Sequence, residues 1–306
     1  MKKILIVAER SRKKIASFLP AAKRLGMDVT IASFLEITYE PGINAKMYIR
    51  GIDVESFDTI YIRLIGRRVE NLTLLVRHAR QHGIRVIDRL YEKPELLPSS
   101  LTKYIELMKL AEKGVPIPKT YFGSVKLIQK NTKNNIGFPA VVKSTTGRKA
   151  REVWLVENQR ELAKLCADLL IKEKEGLQFF VQKAIESSHR IQVMVVGDKA
   201  IGGFIRPTKW RKHYTLAKEG KLVEQKINLN PVPDDIAQLA IKAAKAADLD
   251  ISRIDILKED ITGEMFIIEA NAAPAWDIIK KKAKVQVEEE ILKFIQNYDK
   301  KRFFLN

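Results

Sequence analysis

Two oxygen-bearing side chains follow an apolar stretch near the carboxyl end of the chain. Glu269 and Asn271 come directly after Phe266-Ile267-Ile268, and alternation along a strand places the two on one face. A second apolar stretch around Asp255 lies just upstream, so a hairpin would bring that carboxylate beside Glu269. Hard cations such as Mg²⁺ take oxygen ligands. The spacing predicts a magnesium site, with the polar face of an ordinary hairpin as the alternative.

Two further segments carry cations that could hold phosphates. Lys143 ends an apolar strand and faces a turn that contains Gly147, so its ammonium group can reach an anion bound by the amides of the turn. From Arg206 through Arg211 to His213, four cations fall within eight residues, a composition that suits phosphate or nucleic-acid contact. A surface lysine and a solvated loop are the alternatives.

The composition indicates a globular chain with a strong positive charge. Of its 306 residues, 46% are hydrophobic and 30% charged, which suffices for two or three domains with buried cores. A formal net charge of +18 favours an anionic partner: nucleotide phosphates, an acidic peptide or carrier protein, or RNA. The single cysteine excludes an internal disulfide. No apolar run suits a membrane span or a signal peptide, so we expect a cytoplasmic protein.

Two other features of the amino-terminal part bear on metal or substrate binding. His78 and His82 have the i, i+4 spacing that two zinc ligands on a helix could use. No nearby carboxylate or cysteine completes such a set, so a surface helix is the favoured interpretation. Arg63, at the end of a predicted strand, is a candidate substrate contact, with a surface arginine as the alternative.

The apolar pattern alternates between strands and helices up to Lys93-Pro94. Strands are predicted over 4–7, 28–32, 59–63 and 84–88, and helices over 12–25 and 70–81. Gly26 and Gly83 stand where the helices should end. Such alternation implies a parallel sheet covered on both faces. No G-x-G-x-x-G follows the first strand, which argues against a dinucleotide site there.

The remainder of the chain is richer in strands. The predicted strands cover 139–143, 153–156, 179–182, a hairpin of 191–196 with 200–205, and the hairpin that holds Asp255 and Glu269. The predicted helices cover 101–113, a segment ending at 171, 235–247 and 277–297. The elements suggest an N-terminal α/β substrate domain over 1–94, a central lobe over 95–177 and a C-terminal lobe with the metal site over 178–306.

The order of these features resembles the ATP-grasp superfamily, and most closely its RimK-like branch of carboxylate–amine ligases, which is also similar to glutathione synthetases. The shared order is a lysine, a glycine turn, a strand leading into a hinge, an arginine loop, an aspartate strand and then Glu-x-Asn. The last element, Glu269-Ala270-Asn271-Ala272-Ala273-Pro274, is quite specific. The likeness covers nearly the whole chain and is strongest from Lys103 to Pro274.

The resemblance implies a fold and a role for each candidate residue. The implied fold is α/β and α+β, with an N-terminal parallel-sheet domain before two β-rich lobes that enclose ATP. The implied roles are phosphate binding by Lys103, Lys143 and Gly147; an adenine-bordering hinge of Gln182, Lys183, Ala184 and Ile185; catalytic contact of Arg206 and Arg211 with the transferred phosphate and the acyl phosphate; and Mg²⁺ binding by Asp255, Glu269 and Asn271.

The implied reaction joins a carboxylate to an amine through an acyl phosphate and releases ADP and phosphate. The cofactors are ATP and one or two Mg²⁺ ions, which Mn²⁺ can replace. The implied partners are a small amino acid and an acidic peptide, carrier or protein acceptor, with a homo-oligomer expected and no membrane. Two alternatives stay open: a basic RNA- or ribosome-associated binding protein with a degenerate ATP-grasp fold, and a kinase on the same scaffold.

Three departures from the family pattern bear on activity. Only Gly147 remains where the family's loop has several glycines, and Lys183 replaces a hinge acid that can bind ribose. Arg190 and Gln192 stand where the next strand usually has an aspartate and then an arginine. These changes affect ribose recognition and loop closure and leave room for an altered acceptor or for weakened catalysis. Since both lysines and the three metal ligands are kept, an active enzyme is favoured.

Overall fold

The computed structural model describes residues 2–43, 45–92, 102–145, 152–208 and 227–298, whose strands and helices are numbered here along the chain. The first domain contains a parallel sheet in the order β2-β1-β6-β7, made of β1 (Lys3–Ala8), β2 (Asp28–Ser33), β6 (Thr59–Ile62) and β7 (Arg85–Ile87). Helix α1 (Phe18–Leu25) packs on one face and α2 (Val69–Gln81) on the other, against alternate residues of β1. The predicted parallel sheet with two covered faces is confirmed.

The helix predicted over 12–25 is split in two. A 3-10 helix covers Arg12–Ile15, and α1 begins only at Phe18. Pro20 explains the break, because a proline ring clashes with the carbonyl four residues upstream and lacks the N–H that a helix interior needs. In the first turn of α1 a proline is tolerated. Gly26 then ends the helix in the left-handed conformation, with φ of 63°.

A small antiparallel sheet in the first domain has no counterpart in the sequence-based prediction. It contains β3 (Ile37–Glu40), β4 (Lys46–Ile49) and β5 (Ile52–Asp53) in the order β3-β4-β5. Only Met47 and Ile49 of these strands are fully buried. Such a short apolar signal does not stand out from that of a loop.

The central lobe is an antiparallel sheet in the order β10-β9-β11-β8, made of β8 (Thr120–Phe122), β9 (Ala140–Ser144), β10 (Val153–Val156) and β11 (Phe179–Lys183). Helices α4 (Val125–Asn135) and α5 (Gln159–Lys174) pack against this sheet and each other. The predicted pairing of 139–143 with 153–156 is confirmed. Strand β11 pairs with β8 and β9, so it belongs to this sheet although it follows the boundary predicted at residue 177. Sequence pattern alone does not reveal which strand another strand pairs with.

The C-terminal lobe is an antiparallel sheet in the order β14-β13-β12-β15-β16, made of β12 (His189–Val196), β13 (Lys199–Pro207), β14 (Ile227–Leu229), β15 (Ile251–Lys258) and β16 (Met265–Asn271). One face forms an apolar core with α3 (Lys103–Glu112) and α6 (Asp234–Ala246). The opposite face is polar around Asp255. Toward Met194 and Phe204 it becomes apolar and joins the core of the first domain.

The single helix predicted over 277–297 is two helices. Helix α7 (Asp277–Ala283) ends at Lys284, which has a φ of 54°, and α8 (Val287–Asn297) begins three residues later. Lys280 Nζ donates a hydrogen bond to Glu288 Oε1 at 2.7 Å and links the two helices. Across the described ranges, no helix combines the length and the apolar character needed to cross a membrane.

Candidate active site

A β-bulge in β16 sets the direction of the predicted metal ligands. Asp255 lies directly opposite Glu269, as the predicted hairpin requires, but the pairing then slips by one residue at Ile268. Strict alternation would place Ile267 on the same face as Glu269 and Asn271. Because of the bulge, Ile267 enters the apolar core instead. The three candidate ligands share the polar face of the sheet.

Asp255 is buried and surrounded by hydrogen-bond donors. Its carboxylate accepts hydrogen bonds from Gln192 Nε2 at 2.6 Å and Arg253 Nε at 2.9 Å. Arg190 Nη1 lies 3.5 Å from Asp255 Oδ2. The residues that depart from the family pattern therefore hold this carboxylate in place. Because a carboxylate has about four lone-pair sites, these contacts leave capacity for one more ligand.

A third carboxylate, Glu106 of α3, stands beside this pair. It accepts a hydrogen bond from the backbone N–H of Ala270. Burial raises the pKa of Glu106 to about 8, and repulsion from the Glu269 carboxylate is the second cause; the Ala270 N–H and the Lys103 charge oppose the shift. Glu106 was missed in the sequence, although it follows Lys103 by three residues and so shares a helix face with it.

The donors of this cluster fit a hard divalent cation. Asp255 and Glu269 supply carboxylate oxygens, and Asn271 supplies an amide oxygen that also accepts from Ala273 N at 2.9 Å. Oxygen donors without imidazole or thiolate are typical of Mg²⁺ and Mn²⁺ sites. A cation here would also relieve the repulsion between Glu106 and Glu269, which the pKa of Glu106 reports. The structure thus brings the predicted metal ligands together.

Lys143 of β9 faces the carboxylates from the central lobe. Burial lowers the pKa of Lys143 to about 8; the charges of Lys103 and Arg190 lower it further, and the carboxylates Glu269 and Glu106 oppose them. Charge–charge effects on a pKa require proximity. Both predicted phosphate-binding lysines and the carboxylates therefore converge where the two lobes meet.

The predicted hinge covers the end of β11 and the first residues of its connection to β12, and its first two residues are tied into the central lobe. Gln182 is 1% exposed; its Oε1 accepts from Lys143 Nζ and its Nε2 donates to Thr120 Oγ1 at 2.8 Å. Lys183 Nζ donates to the carbonyl oxygen of Phe138 at 2.9 Å. The Gln182 side chain thus positions Lys143, and the Lys183 ammonium is held by the protein.

The next two hinge residues are also buried. The N–H of Ala184 donates to the carbonyl oxygen of Pro139 at 3.1 Å, which anchors the chain as it leaves the sheet. The side chains of Ala184 and Ile185 are 9% and 6% exposed. Both are apolar residues that follow the end of β11, on the way from the central sheet to β12.

Comparison with known proteins provides the decisive observation, because residues 102–295 match the RimK-like ATP-grasp domain over more than half of the chain. The protein belongs to the RimK-like ATP-grasp family. It is 29% identical over 224 residues to N-acetylaspartylglutamate synthase A from Homo sapiens, which covers 70% of this chain and 54% of that protein. It is 24% identical over 196 residues to a probable alpha-L-glutamate ligase from Haemophilus influenzae, which covers 63% of each. The chain spans less than two thirds of the length of these relatives.

Solved structures resemble this RimK-like ATP-grasp protein over nearly its whole length. The ATP-grasp ligase PsnB, complexed with a phosphomimetic variant of its minimal precursor, Mg and ADP, superposes with a TM-score of 0.69 at 16% identity and covers 97% of this chain and 98% of its own. D-cycloserine synthetase DcsG superposes with a TM-score of 0.67 at 14% identity and covers 95% and 98%. At such identities the similarity shows the fold, and the predicted ATP-grasp fold is confirmed.

The arginines of the ATP-grasp site are partly described. Arg206 pairs with Arg190 across β12 and β13, so both lie on the polar face of the sheet. Arg211 and Gly147 lie outside the described residues. Arg253, which holds Asp255, was also missed in the sequence. Its signal is its position two residues before Asp255 on the same strand, which places both side chains on one face.

A cavity of about 910 Å³ lies elsewhere, between the β12–β13 turn, α6 and α8. Several of its charged groups are paired: Arg89 Nε lies 3.0 Å from Asp250 Oδ1, and Lys245 Nζ lies 2.7 Å from Asp198 Oδ1. Neutralised ion pairs offer little to a polyphosphate. The cations and carboxylates that converge around Glu269 are therefore the better candidate for the ATP-grasp active site.

The interpretation of Arg63 as a surface residue is wrong. Its side chain is buried, and its guanidinium lies 3.9 Å from the ring centroid of Trp276. Arg63 Nη2 also donates to the carbonyl oxygen of Pro274. The residue therefore joins the first domain to the segment that follows the metal-ligand strand, a contact that strand position alone could not reveal.

The interpretation of His78 and His82 as part of a plain surface helix is also wrong. His78 is 2% exposed, and Glu55 lies beside both imidazoles. A carboxylate more than twenty positions upstream was overlooked because it is close only in the folded chain.

Proposed function

We propose that this protein is an ADP-forming carboxylate–amine ligase. The observation that carries the proposal is the convergence of Lys103 and Lys143 with Glu106 and Glu269, whose charges shift pKa values across the boundary between the lobes. Cations beside oxygen donors for a metal suit a nucleotide polyphosphate with its Mg²⁺. Relatives named as a synthase and a ligase support the same reaction class.

The proposed mechanism begins with activation of the acid. A carboxylate does not react with an amine at neutral pH because its leaving group is poor, and transfer of a phosphoryl group from ATP removes that obstacle. Lys103, Lys143, Arg206 and Arg211 would hold phosphate oxygens, the two arginines also the oxyanion formed when the amine attacks. Each preorganised donor of this kind contributes about 3–4 kcal/mol.

The proposed metal site serves the same transfer. Asp255, Glu269 and Asn271 would hold Mg²⁺, which neutralises charge that develops on the phosphates when it is bound. Arg190 and Arg253 lie beside the Asp255 carboxylate and orient it. Ala184 and Ile185 would border the adenine. We also propose that the site takes one or two Mg²⁺ ions and that Mn²⁺ can replace them.

The proposed substrates are an amino acid and an acidic peptide, carrier or protein acceptor. A net charge of +18 attracts anions to the molecule. The names of the relatives specify N-acetylaspartylglutamate and glutamate, and PsnB binds a precursor peptide. A cytoplasmic location, where ATP and Mg²⁺ are supplied, and a homo-oligomeric state complete the proposal.

An ADP-release assay over a panel of amino acids and acidic peptides tests the proposal, with consumption of the amine followed in parallel. ADP that forms only with a suitable pair, together with loss of the amine, supports a ligase. ADP formation without amine consumption would identify a kinase, and AMP would exclude this reaction class. Salt-dependent retention on RNA without ATP turnover would identify the binding protein instead.

A further inference from the structure

Three metal-ligating side chains meet in the first domain, outside the proposed active site. Glu55 Oε2 lies 3.4 Å from His82 Nδ1, and Glu55 Oε1 lies 3.8 Å from His78 Nε2. One ligand atom from each residue lies within 4.8 Å of the other two. We call these three residues the histidine cluster.

Regular structure holds each member of the histidine cluster. His78 lies in the last turn of α2 and His82 directly follows that helix, so the i, i+4 spacing places both rings on one side, with centroids 4.4 Å apart. Glu55 belongs to the 3-10 helix Val54–Ser56, which Asp53 caps by accepting from Glu55 N at 2.9 Å. The approach of these two elements brings the carboxylate to the imidazoles.

His78 supplies an independent observation. The side chain is 2% exposed, and neither ring nitrogen has a hydrogen-bond partner among the described residues. Buried polar atoms are nearly always partnered, and an unpartnered one calls for an explanation such as a bound ion. Burial, followed by repulsion from His82, lowers the pKa of His78. A lowered pKa favours the neutral imidazole, which is the form that binds metals.

We propose that Glu55, His78 and His82 bind a divalent transition-metal ion of the Zn²⁺ class. Tetrahedral bonds of about 2.0–2.2 Å place ligand atoms about 3.3–3.6 Å apart. The 3.4 Å between Glu55 and His82 already falls in this range. The wider pairs need a small contraction, which rotation of the partly exposed His82 and Glu55 side chains supplies.

The donor types separate this site from the proposed Mg²⁺ site. Two imidazoles and one carboxylate suit zinc and its neighbours, whereas oxygen-only sites suit Mg²⁺. Three protein ligands leave a fourth position for water or another group. The bound ion would join α2 to the Val54–Ser56 helix.

Lys46 forms an ion pair with the carboxylate of the histidine cluster. Its Nζ lies 2.9 Å from Glu55 Oε1 and 3.5 Å from Asp53 Oδ2. The Lys46 side chain is 40% exposed, so its ammonium can turn toward solvent while Asp53 remains available to it. Metal binding thus displaces an exposed ion pair, which is weak in water.

The proposal is tested by titrating the full chain, without an affinity tag, with Zn²⁺ alone. Binding is measured by calorimetry or by competition with a chromophoric chelator. We expect one strong site. Its affinity should fall by more than about tenfold in Glu55→Gln and in His82→Gln, because even outer-shell changes cost about 10–100-fold. Both residues are partly exposed, so the variants should fold. His189→Gln, at an exposed histidine of β12, is the matched control and should bind like the wild type.

The oxygen donors of the proposed active site are a competing location for Zn²⁺, so the titration is repeated in Glu269→Gln. The strong site should survive there, and Zn²⁺ should raise the melting temperature of the wild type but not of His82→Gln. Co²⁺ should give tetrahedral visible absorption in Glu269→Gln and none in His82→Gln. No strong site in the wild type, loss of the site in Glu269→Gln, or unchanged affinity in Glu55→Gln and His82→Gln would overturn the proposal.

Discussion

Two clusters of candidate metal ligands in this protein differ in their donors, in their surroundings and in the elements that hold them. The active-site cluster, Asp255, Glu269 and Asn271, offers oxygen only and lies on two adjacent strands. The histidine cluster offers two imidazoles and one carboxylate from a helix and a 3-10 turn. Donor chemistry alone assigns them to different ions.

The charges around the two clusters distinguish them further than their donor atoms do. Among the described residues around the active-site cluster, five cations stand against three carboxylates: Lys103, Lys143, Arg190, Arg206 and Arg253 against Glu106, Asp255 and Glu269. Adding Mg²⁺ alone would increase this positive excess, whereas a metal–polyphosphate complex compensates it. The histidine cluster is accompanied by Lys46 and needs no anion. We therefore expect the first cluster to bind metal together with nucleotide and the second to bind metal alone.

The largest effect should come from Glu269→Gln. We expect ADP release to fall by about 100-fold or more, because losing one preorganised electrostatic group costs about 10²–10³ in rate. Glu264→Gln, an exposed carboxylate just before the same strand, is the control and should keep its activity. Steady-state ADP release measures both. Retained turnover in Glu269→Gln would remove the active-site cluster from the reaction, and an equal loss in Glu55→Gln would erase the contrast between the clusters.

We expect the titration of Lys143, beside the active-site cluster, to make kcat/KM for ATP depend on pH. Since its pKa is lowered to about 8, the free enzyme loses this positive charge as pH rises through that value. We expect kcat/KM for ATP to fall about tenfold per pH unit above it. Lys143→Arg should abolish the fall because arginine stays protonated, whereas Lys119→Arg, at an exposed lysine, should not.

The same lysine predicts an opposite trend in stability. Folding lowers the pKa of Lys143 from its ordinary 10.5 to about 8, so the unfolded chain binds more protons between these values. The contribution of this group to the free energy of unfolding should therefore rise with pH across that interval. Denaturant titrations of the wild type and Lys143→Met measure the difference.

The kinetic prediction has its own contrary outcome. A fall in kcat/KM above pH 8 that persists in Lys143→Arg would assign the pH dependence to another group.

A smaller effect is expected from Gln182→Leu, which removes the buried acceptor of the Lys143 ammonium group. Hydrogen bonds to charged groups contribute about 1.5–3 kcal/mol, and from the lower end of that range we expect KM for ATP to rise by about tenfold. Gln182→Glu keeps an acceptor and should lose less. An unchanged KM in Gln182→Leu would show that Lys143 does not depend on this contact.

The smallest effect is expected from Lys46→Met in the histidine cluster. Removing the competing ammonium group should raise the affinity for Zn²⁺ by about twofold to fivefold, the range of an exposed ion pair. ADP release should stay unchanged. Calorimetric titration measures the affinity, and weaker zinc binding would mean that Lys46 supports the site rather than competing for it.

Local patterns predicted most of the regular structure. Continuous apolar runs such as the one in β1 indicated a buried parallel strand, and the break at Pro20 follows from the same local rules once its effect on the upstream turn is considered. The end of α7 at Lys284 is different, because neither glycine nor proline marks it. There the packing of α7 and α8 against the first domain decides where the chain turns.

Local patterns also predicted part of the candidate active site. Glu269, Asn271 and Asp255 could be proposed because strand alternation and hairpin pairing are local. The bulge at Ile268, which separates the core-facing residue from the ligands, depends on how two strands register. Glu106 and Arg253 became candidates only when the lobes were assembled, although both lie at spacings that share a face with a residue already proposed.

The order and types of residues by themselves determined the family, the alternation of strands and helices, and the oxygen donors placed two residues apart on one strand, because these depend on contacts between near neighbours in the chain. Only the tertiary structure decided which distant groups meet. Glu55 lies beside His78 and His82, and the charge of Glu269 acts on the pKa of Lys143, because separate elements pack together. Burial and the charge of a neighbour act through space, so donor sets and pKa values belong to the folded arrangement rather than to sequence spacing.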